Sequence, residues 1–245
     1  MTGIRITVAG TAGSAPREVG AQMMVWADRT EGTIGGGALE WDAMAEGRRM
    51  LAEGRQQHRA TIPLGPALGQ CCGGSVTLVW AVAQALENQP RRPLWIYGAG
   101  HVGRAIVHVM QPLPDFAITW GDVAADRFPQ TDVTTLVAVD PAQVVRHAPD
   151  DAAHLILTYS HALDLALCHA ILSRPFASTG LIGSTTKWAR FRRRLADLGH
   201  NAAQIDRIAC PIGDPALGKH PAALALGVAT AMIGAETRHC KERRA

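Results

Sequence analysis

The chain has 245 residues, 47% of them hydrophobic and 18% charged, a balance that suits a folded globular protein of one large or two modest domains. Its formal net charge of +3 argues against a dedicated nucleic-acid binder, and the basic residues Lys241, Arg243 and Arg244 form too short a cluster to alter that. No apolar run reaches membrane-spanning length and the opening residues do not pattern as a signal peptide, so a cytoplasmic protein is expected, its five cysteines mostly free thiols.

In chain order, Ile4 to Val8 predicts a strand, Gly10 to Arg17 has the composition of a turn or loop, and Met23 to Trp26 predicts a second strand. Gly32 to Glu40 reads GTIGGGALE, and its consecutive glycines, Gly35 and Gly36 among them, open backbone conformations closed to other residues. A helix is predicted from Leu39 to about Glu53, then strands over His58 to Ile62 and Ser75 to Trp80, with Gln70-Cys71-Cys72-Gly73-Gly74 between them. Pro90 to Pro93 is the predicted domain boundary, separating residues 1–89 from residues 90–245.

Beyond that boundary strands and helices alternate. Strands are predicted at Leu94 to Tyr97, Ala117 to Gly121, Thr134 to Val139, His154 to Thr158 and Ser178 to Ile182. Helices are predicted after Gly103 to about Met110, over His161 to Leu172, Thr185 to Leu198 and Pro221 to Ala235. The alternation predicts an α/β chain: a small N-terminal α+β domain, then a Rossmann-like domain with a mostly parallel sheet.

The first strand of the second part runs into Gly98-Ala99-Gly100-His101-Val102-Gly103. In a strand–turn–helix context this glycine pattern assigns Gly98 to the turn, Gly100 to close backbone approach of a pyrophosphate, and Gly103 to helix–sheet packing. The helix N-terminus offers free amides to a phosphate, and His101 sits in the turn. Asp122 ends the next strand, where a carboxylate commonly binds a ribose hydroxyl. The same glycines also serve plain strand–helix packing, and no hydride-transfer residue set follows them. A second turn, Gly180 to Lys187, offers Ser184 and Lys187 to an anion, with a helix cap as the plainer role of Ser184. His161 and Asp164 are three residues apart and share a helix face. Arg17 suits an anion contact or a surface salt bridge, and Glu40 suits a hydrogen bond holding its glycine loop.

Cys71 and Cys72 are adjacent, and there is no CxxC pair, which disfavours a tetrahedral zinc site or a thioredoxin-like exchange site. Thiolates are soft ligands, and the amides freed by Gly73 and Gly74 would lower a neighbouring thiol's pKa, so one cysteine suits a metal contact or a sulfur-carrier role and the other a buried structural role.

GSAPR, GTIGGGALE, CCGG, YGAGHVGR, SHALD, GLIGSTTKWARF and CPIG occur in that order over nearly the whole chain. As a set they resemble the XdhC family, the accessory proteins of xanthine dehydrogenase. The resemblance implies a chaperone rather than an enzyme, one that binds the molybdenum cofactor (molybdopterin) and delivers it to the apo-enzyme, with a cysteine desulfurase supplying the sulfido ligand. It makes Cys71 or Cys72 the candidate molybdenum or sulfur contact, with Arg17, Gly35, Gly36, Gly98, Gly100, His101, Gly103, Asp122, His161, Ser184 and Lys187 as further cofactor contacts. Similar proteins carry an arginine two residues after the acid matching Asp122; here that residue is Ala124, with Arg127 as a replacement further along. A nucleotide-dependent oxidoreductase and a scaffold bridging desulfurase and target are the alternatives, and a homodimer is the default assembly.

Overall fold

In a computed structural model of the protein, residues 2–65, 73–87 and 91–242 are described, with side chains described up to residue 234. Cys71, Cys72 and Pro90 lie outside the described residues. The chain forms two compact units, Met1–Asn88 and Gln89–Ala245. Among the described residues no helix is long and apolar enough to cross a membrane.

The first unit contains β1 (Gly3–Ala12), β2 (Gln22–Val25), β3 (Thr30–Gly32), α1 (Gly37–Glu53), β4 (Gln57–Pro63) and β5 (Ser75–Ala83). The strands form one antiparallel sheet in the order β3-β2-β1-β5-β4. Alternation puts Ile4, Ile6 and Val8 on one face of β1 and Val76, Leu78 and Trp80 on the same face of β5. The helix covers that face with Leu39, Ala43, Gly47 and Met50, spaced to form one stripe. Trp80 lies in this core and donates its indole N–H to the Ala43 carbonyl at 3.0 Å.

Two local expectations change. Residues Gly10 to Ala12, expected in a loop, extend β1, because β5 is long enough to pair with them beyond a register shift between Val8 and Gly10. The short β3 had no apolar alternation to reveal it, since all three residues are exposed; pairing with β2 forms it.

The second unit contains β6 (Arg92–Tyr97), α2 (His101–Met110), β7 (Phe116–Asp122), β8 (Thr134–Val137), α3 (Pro141–Val144), β9 (Ala153–Ile156), α4 (His161–Leu172), β10 (Ser178–Leu181), α5 (Thr185–Asp197), α6 (Ala202–Ile205), β11 (Ile208–Ala209) and α7 (Pro221–Glu242). All six strands are parallel, in the order β11-β10-β9-β6-β7-β8. Numbered within the unit this is the doubly wound order 3-2-1-4-5-6, whose direction reverses between β6 and β9. The central strand is apolar on both faces, as a parallel sheet covered on both sides requires. Leu94 and Ile96 pack with Ile106, Met110, Val228 and Met232 on the α2/α7 side, while Trp95 and Tyr97 pack with Val145, Leu167, Ile171 and Leu195 on the other. The handedness of parallel crossovers then brings the glycine turn after β6 and the loops after β7, β9 and β10 to one end of the sheet.

Candidate functional site

Helix α2 begins at the C-terminal end of β6, and its turn uses each glycine differently. Gly98 has φ 122°, and a Cβ there would lie 2.5 Å from the Leu157 carbonyl oxygen. A Cβ on Gly103 would lie 2.0 Å from the Gly98 carbonyl oxygen, so close packing accounts for both. Gly100 differs: its φ of −74° suits any residue, and a Cβ would meet nothing within 4 Å. It is the N-cap residue of α2, and no side chain makes a cap hydrogen bond to the amides of the first turn. His101 is exposed on that turn.

Asp122, expected to offer a ribose contact, turns inward. It is 4% exposed; one carboxylate oxygen accepts the Ala99 amide, and the other accepts the Val123 amide at 2.6 Å. Arg127 Nε lies 2.8 Å from the latter oxygen as an ion pair rather than an aligned hydrogen bond, so Arg127 supplies the charge that Ala124 lacks. Its guanidinium also sits 5.0 Å from the centroid of the Tyr159 ring. Arg104 adds a second tie, donating to the Ala99 carbonyl at 3.0 Å and to the Arg127 carbonyl at 2.6 Å.

At the turn after β10, Ser184 caps α5 by accepting the Lys187 amide at 3.2 Å. The Lys187 ammonium points inward, 2.5 Å from Asp164 Oδ2 and 3.0 Å from the Ile182 carbonyl. Asp164 also accepts from Thr158, amide and hydroxyl, at 3.0 and 2.7 Å. Asp164, on the same helix face as His161, turns into this inward network, and His161 lies edge-on to Phe191 at 6.2 Å. His161, Ser184, Thr186, Lys187, Arg190 and Phe191 line a cleft of about 130 Å³. A larger groove of about 390 Å³ lies at the beginnings of β7 and β8, away from the glycine turns.

In the first unit three motifs converge. A Cβ on Gly74 would lie 2.3 Å from the Ser14 carbonyl oxygen, and one on Gly35 would lie 2.5 Å from Pro16 Cγ. The segment leaving Cys72 and the GTIGGG loop therefore both pack against the GSAPR loop. Gly36 has φ 77° and open space around it. Arg17 pairs with Glu18 at 3.0 Å in this loop. Glu40 holds the glycine loop, accepting from the Thr33 hydroxyl and from the Ile34 and Gly35 amides, the latter two at 2.8 and 3.1 Å.

Burial pushes the Glu40 carboxyl up, but these donors outweigh it and hold it below its ordinary value. Its contribution to stability is therefore present above the unfolded carboxylate's pKa of about 4.3 and lost as pH falls through the lower folded value. Glu40→Gln should flatten the pH dependence of melting across that window and lower the melting temperature at neutral pH by a few degrees. Parallel melts between pH 3 and 7 check this, and an unchanged acid limb would show that the loop does not depend on the charge.

Among the described residues no group of three or more His, Cys, Asp or Glu side chains could hold a metal ion. Burial pushes the Cys168 thiol far up and the Cys210 thiol to about 11, so neither is a thiolate at neutral pH. Sequence reasoning missed Thr158, Tyr159 and Arg104. Thr158 and Tyr159 follow β9, and their nearness to the glycine turn is visible only once the strand order is known; Arg104 directly follows the glycine motif and was the one with a local signal.

Two family models match the chain: one described as the XdhC Rossmann domain over residues 94–232, the other as the XdhC and CoxI family over residues 2–62. The uncharacterized protein YqeB of Escherichia coli (strain K12) is 30% identical over 226 residues, which cover 88% of this chain and 40% of YqeB. The chain thus spans well under half the length of that curated relative. The fold is shared with a crystal structure from Bacillus halodurans described as a xanthine dehydrogenase, at 18% identity and a TM-score of 0.79, covering 95% of this chain and 91% of the other. With more than half its length matched by one model and much of the remainder by the other, the chain belongs to the XdhC family.

Proposed function

We propose that this protein is an accessory factor in xanthine dehydrogenase maturation, binding the molybdenum cofactor as cargo and passing it to the apo-enzyme. Family membership supports the maturation role. The observation that supports the finer reading is that the GTIGGG loop and Gly74, two residues from Cys72, both pack against the GSAPR loop. Cys71 or Cys72 would supply the soft ligand for molybdenum or carry the transferred sulfur, with Gly35, Gly36 and Arg17 as further cofactor contacts. Cys71 and Cys72 are the two cysteines of residues 1–88, and the two described thiols of the second unit are pushed toward the protonated form by burial.

The cargo's phosphate suits the open space at Gly100, where the α2 amides are free and His101 is exposed. With no atom within 4 Å of a Cβ at Gly100, the backbone leaves room for a phosphate to approach the start of α2. Ser184 and His161 line a second polar cleft, while Gly98 and Gly103 shape the turn itself. Asp122 and Lys187 would act by positioning these loops. A cysteine desulfurase as sulfur donor, a homodimeric state and a cytoplasmic location complete the proposal.

The test is bound material. Protein purified from a host that makes the cofactor should carry near-stoichiometric molybdenum and a fluorescent pterin after oxidation, and should activate apo xanthine dehydrogenase. Cys71→Ala or Cys72→Ala should stay folded while losing much of that transfer, because the loss in side-chain volume is small. Tight binding of a nicotinamide or flavin nucleotide with substrate turnover would overturn the proposal in favour of an oxidoreductase. Partner binding without any small ligand would leave a scaffold.

A further inference from the structure

We infer that the crevice at the strand ends of the second unit is built to reject ribose: Asp122 and Arg127 are a specificity pair that confines the site to phosphate-bearing ligands taken without a diol contact. The inference rests on the proposed function only in that a phosphate-bearing ligand occupies the Gly100 turn. In doubly wound folds a carboxylate at the end of the second strand hydrogen-bonds ribose hydroxyls, which requires an oxygen facing the ligand. Asp122 stands at that position, at the end of β7, yet it is buried and its two oxygens accept the Ala99 and Val123 amides and meet Arg127.

Arg127 is itself held from several directions. Its carbonyl accepts from Arg104, whose Nε holds the Ala99 carbonyl of the glycine turn. Its guanidinium lies over Tyr159, which follows β9 and is 67% exposed. Because β6 lies between β7 and β9 in the sheet, the Arg127 side chain links the loops on either side of the glycine turn. A ribose diol would have to displace Arg127 from a buried carboxylate and loosen these ties together, and no second described acid is paired to Arg127 to replace that partner. The arrangement does not crowd Gly100, where a Cβ would meet nothing within 4 Å.

Calorimetric titration of the whole protein with ADP and with 2′,3′-dideoxy-ADP tests this. The parent should bind the two within a factor of two of each other, or bind neither measurably. Arg127→Ala should free the carboxylate and prefer ADP by about tenfold or more, as expected for a hydrogen bond to a charged group. Arg127→Met, which keeps an aliphatic stem over Tyr159, gives the same readout if the alanine variant folds poorly. A tenfold preference for ADP in the parent would overturn the inference, because Asp122 would then read ribose as it stands. Failure of both folded variants to gain a preference for ADP would equally overturn it. Absence of molybdenum and pterin from the purified protein, with this nucleotide pattern intact, would remove the maturation reading and leave the ribose rejection standing; the reverse combination would do the opposite.

Discussion

Gly98→Ala is expected to destabilise the second unit by about 4 kcal/mol, combining backbone strain of roughly 1–3 kcal/mol with overpacking of a similar size. The backbone there has φ 122°, and the new methyl would lie 2.5 Å from the Leu157 carbonyl oxygen, a backbone atom that cannot swing aside. Against a typical domain stability of about 5–15 kcal/mol this is a large loss, and urea unfolding followed by circular dichroism will show it. Two positions along, the outcome reverses. Gly100→Asp meets open space at an ordinary backbone conformation, and aspartate is a favoured N-cap residue, so the variant should be as stable as the parent or slightly more so. Its carboxylate would occupy the α2 amides and repel phosphate, so loading with any phosphate-bearing ligand should fall by tenfold or more. A Gly98→Ala variant as stable as the parent would show that the turn can relax. A Gly100→Asp variant that loads normally would reduce the whole motif to strand–helix packing.

The glycine turn was legible in the sequence, and the partners of the charges around it were not. The pattern GAGHVG identified a strand–turn–helix joint, and the short apolar runs around Ile96 and Leu155 identified strands, because those signals are local. It also gave the three glycines separate roles, a turn at Gly98, packing at Gly103 and open approach at Gly100, but not the atoms they meet, which belong to Leu157 and to Gly98 itself. Asp122 was placed correctly at a strand end, but its direction depends on Arg127 and on the Ala99 amide, 23 residues away. Asp164 was read with its helical neighbour His161, whereas its actual partners are Thr158 in the preceding loop and Lys187, 23 residues on. In the first unit, Gly13, Gly35 and Gly74 each looked like turn punctuation. Only the antiparallel pairing of β1 with β5 brings Gly74 against Ser14 and so gathers three separate motifs into one place. Charges and glycines take their roles from such distant contacts, whereas apolar periodicity does not.

The Asp164–Lys187 pair gives the second large effect. Asp164 is fully buried and the Lys187 side chain is 11% exposed, so removing the ammonium strands a carboxylate that retains only its Thr158 donors. Breaking a buried pair from one side typically costs about 3–5 kcal/mol, and Lys187→Met should fall near the lower figure because those donors remain. The double variant Asp164→Asn/Lys187→Met removes both charges while keeping an acceptor for Thr158, and should recover much of the loss; chemical denaturation of the two single variants and the double variant measures the coupling. A Lys187→Met variant within about 0.5 kcal/mol of the parent would mean that the pair is screened by water and adds little. The same cleft contains an internal control. Arg190 lines it from the exposed side of α5, so Arg190→Ala should leave the melt unchanged while weakening any anion bound beside Ser184. If instead Lys187→Met abolished anion binding at an unchanged melting temperature, the ammonium would be a ligand contact after all, released from Asp164 when the anion arrives.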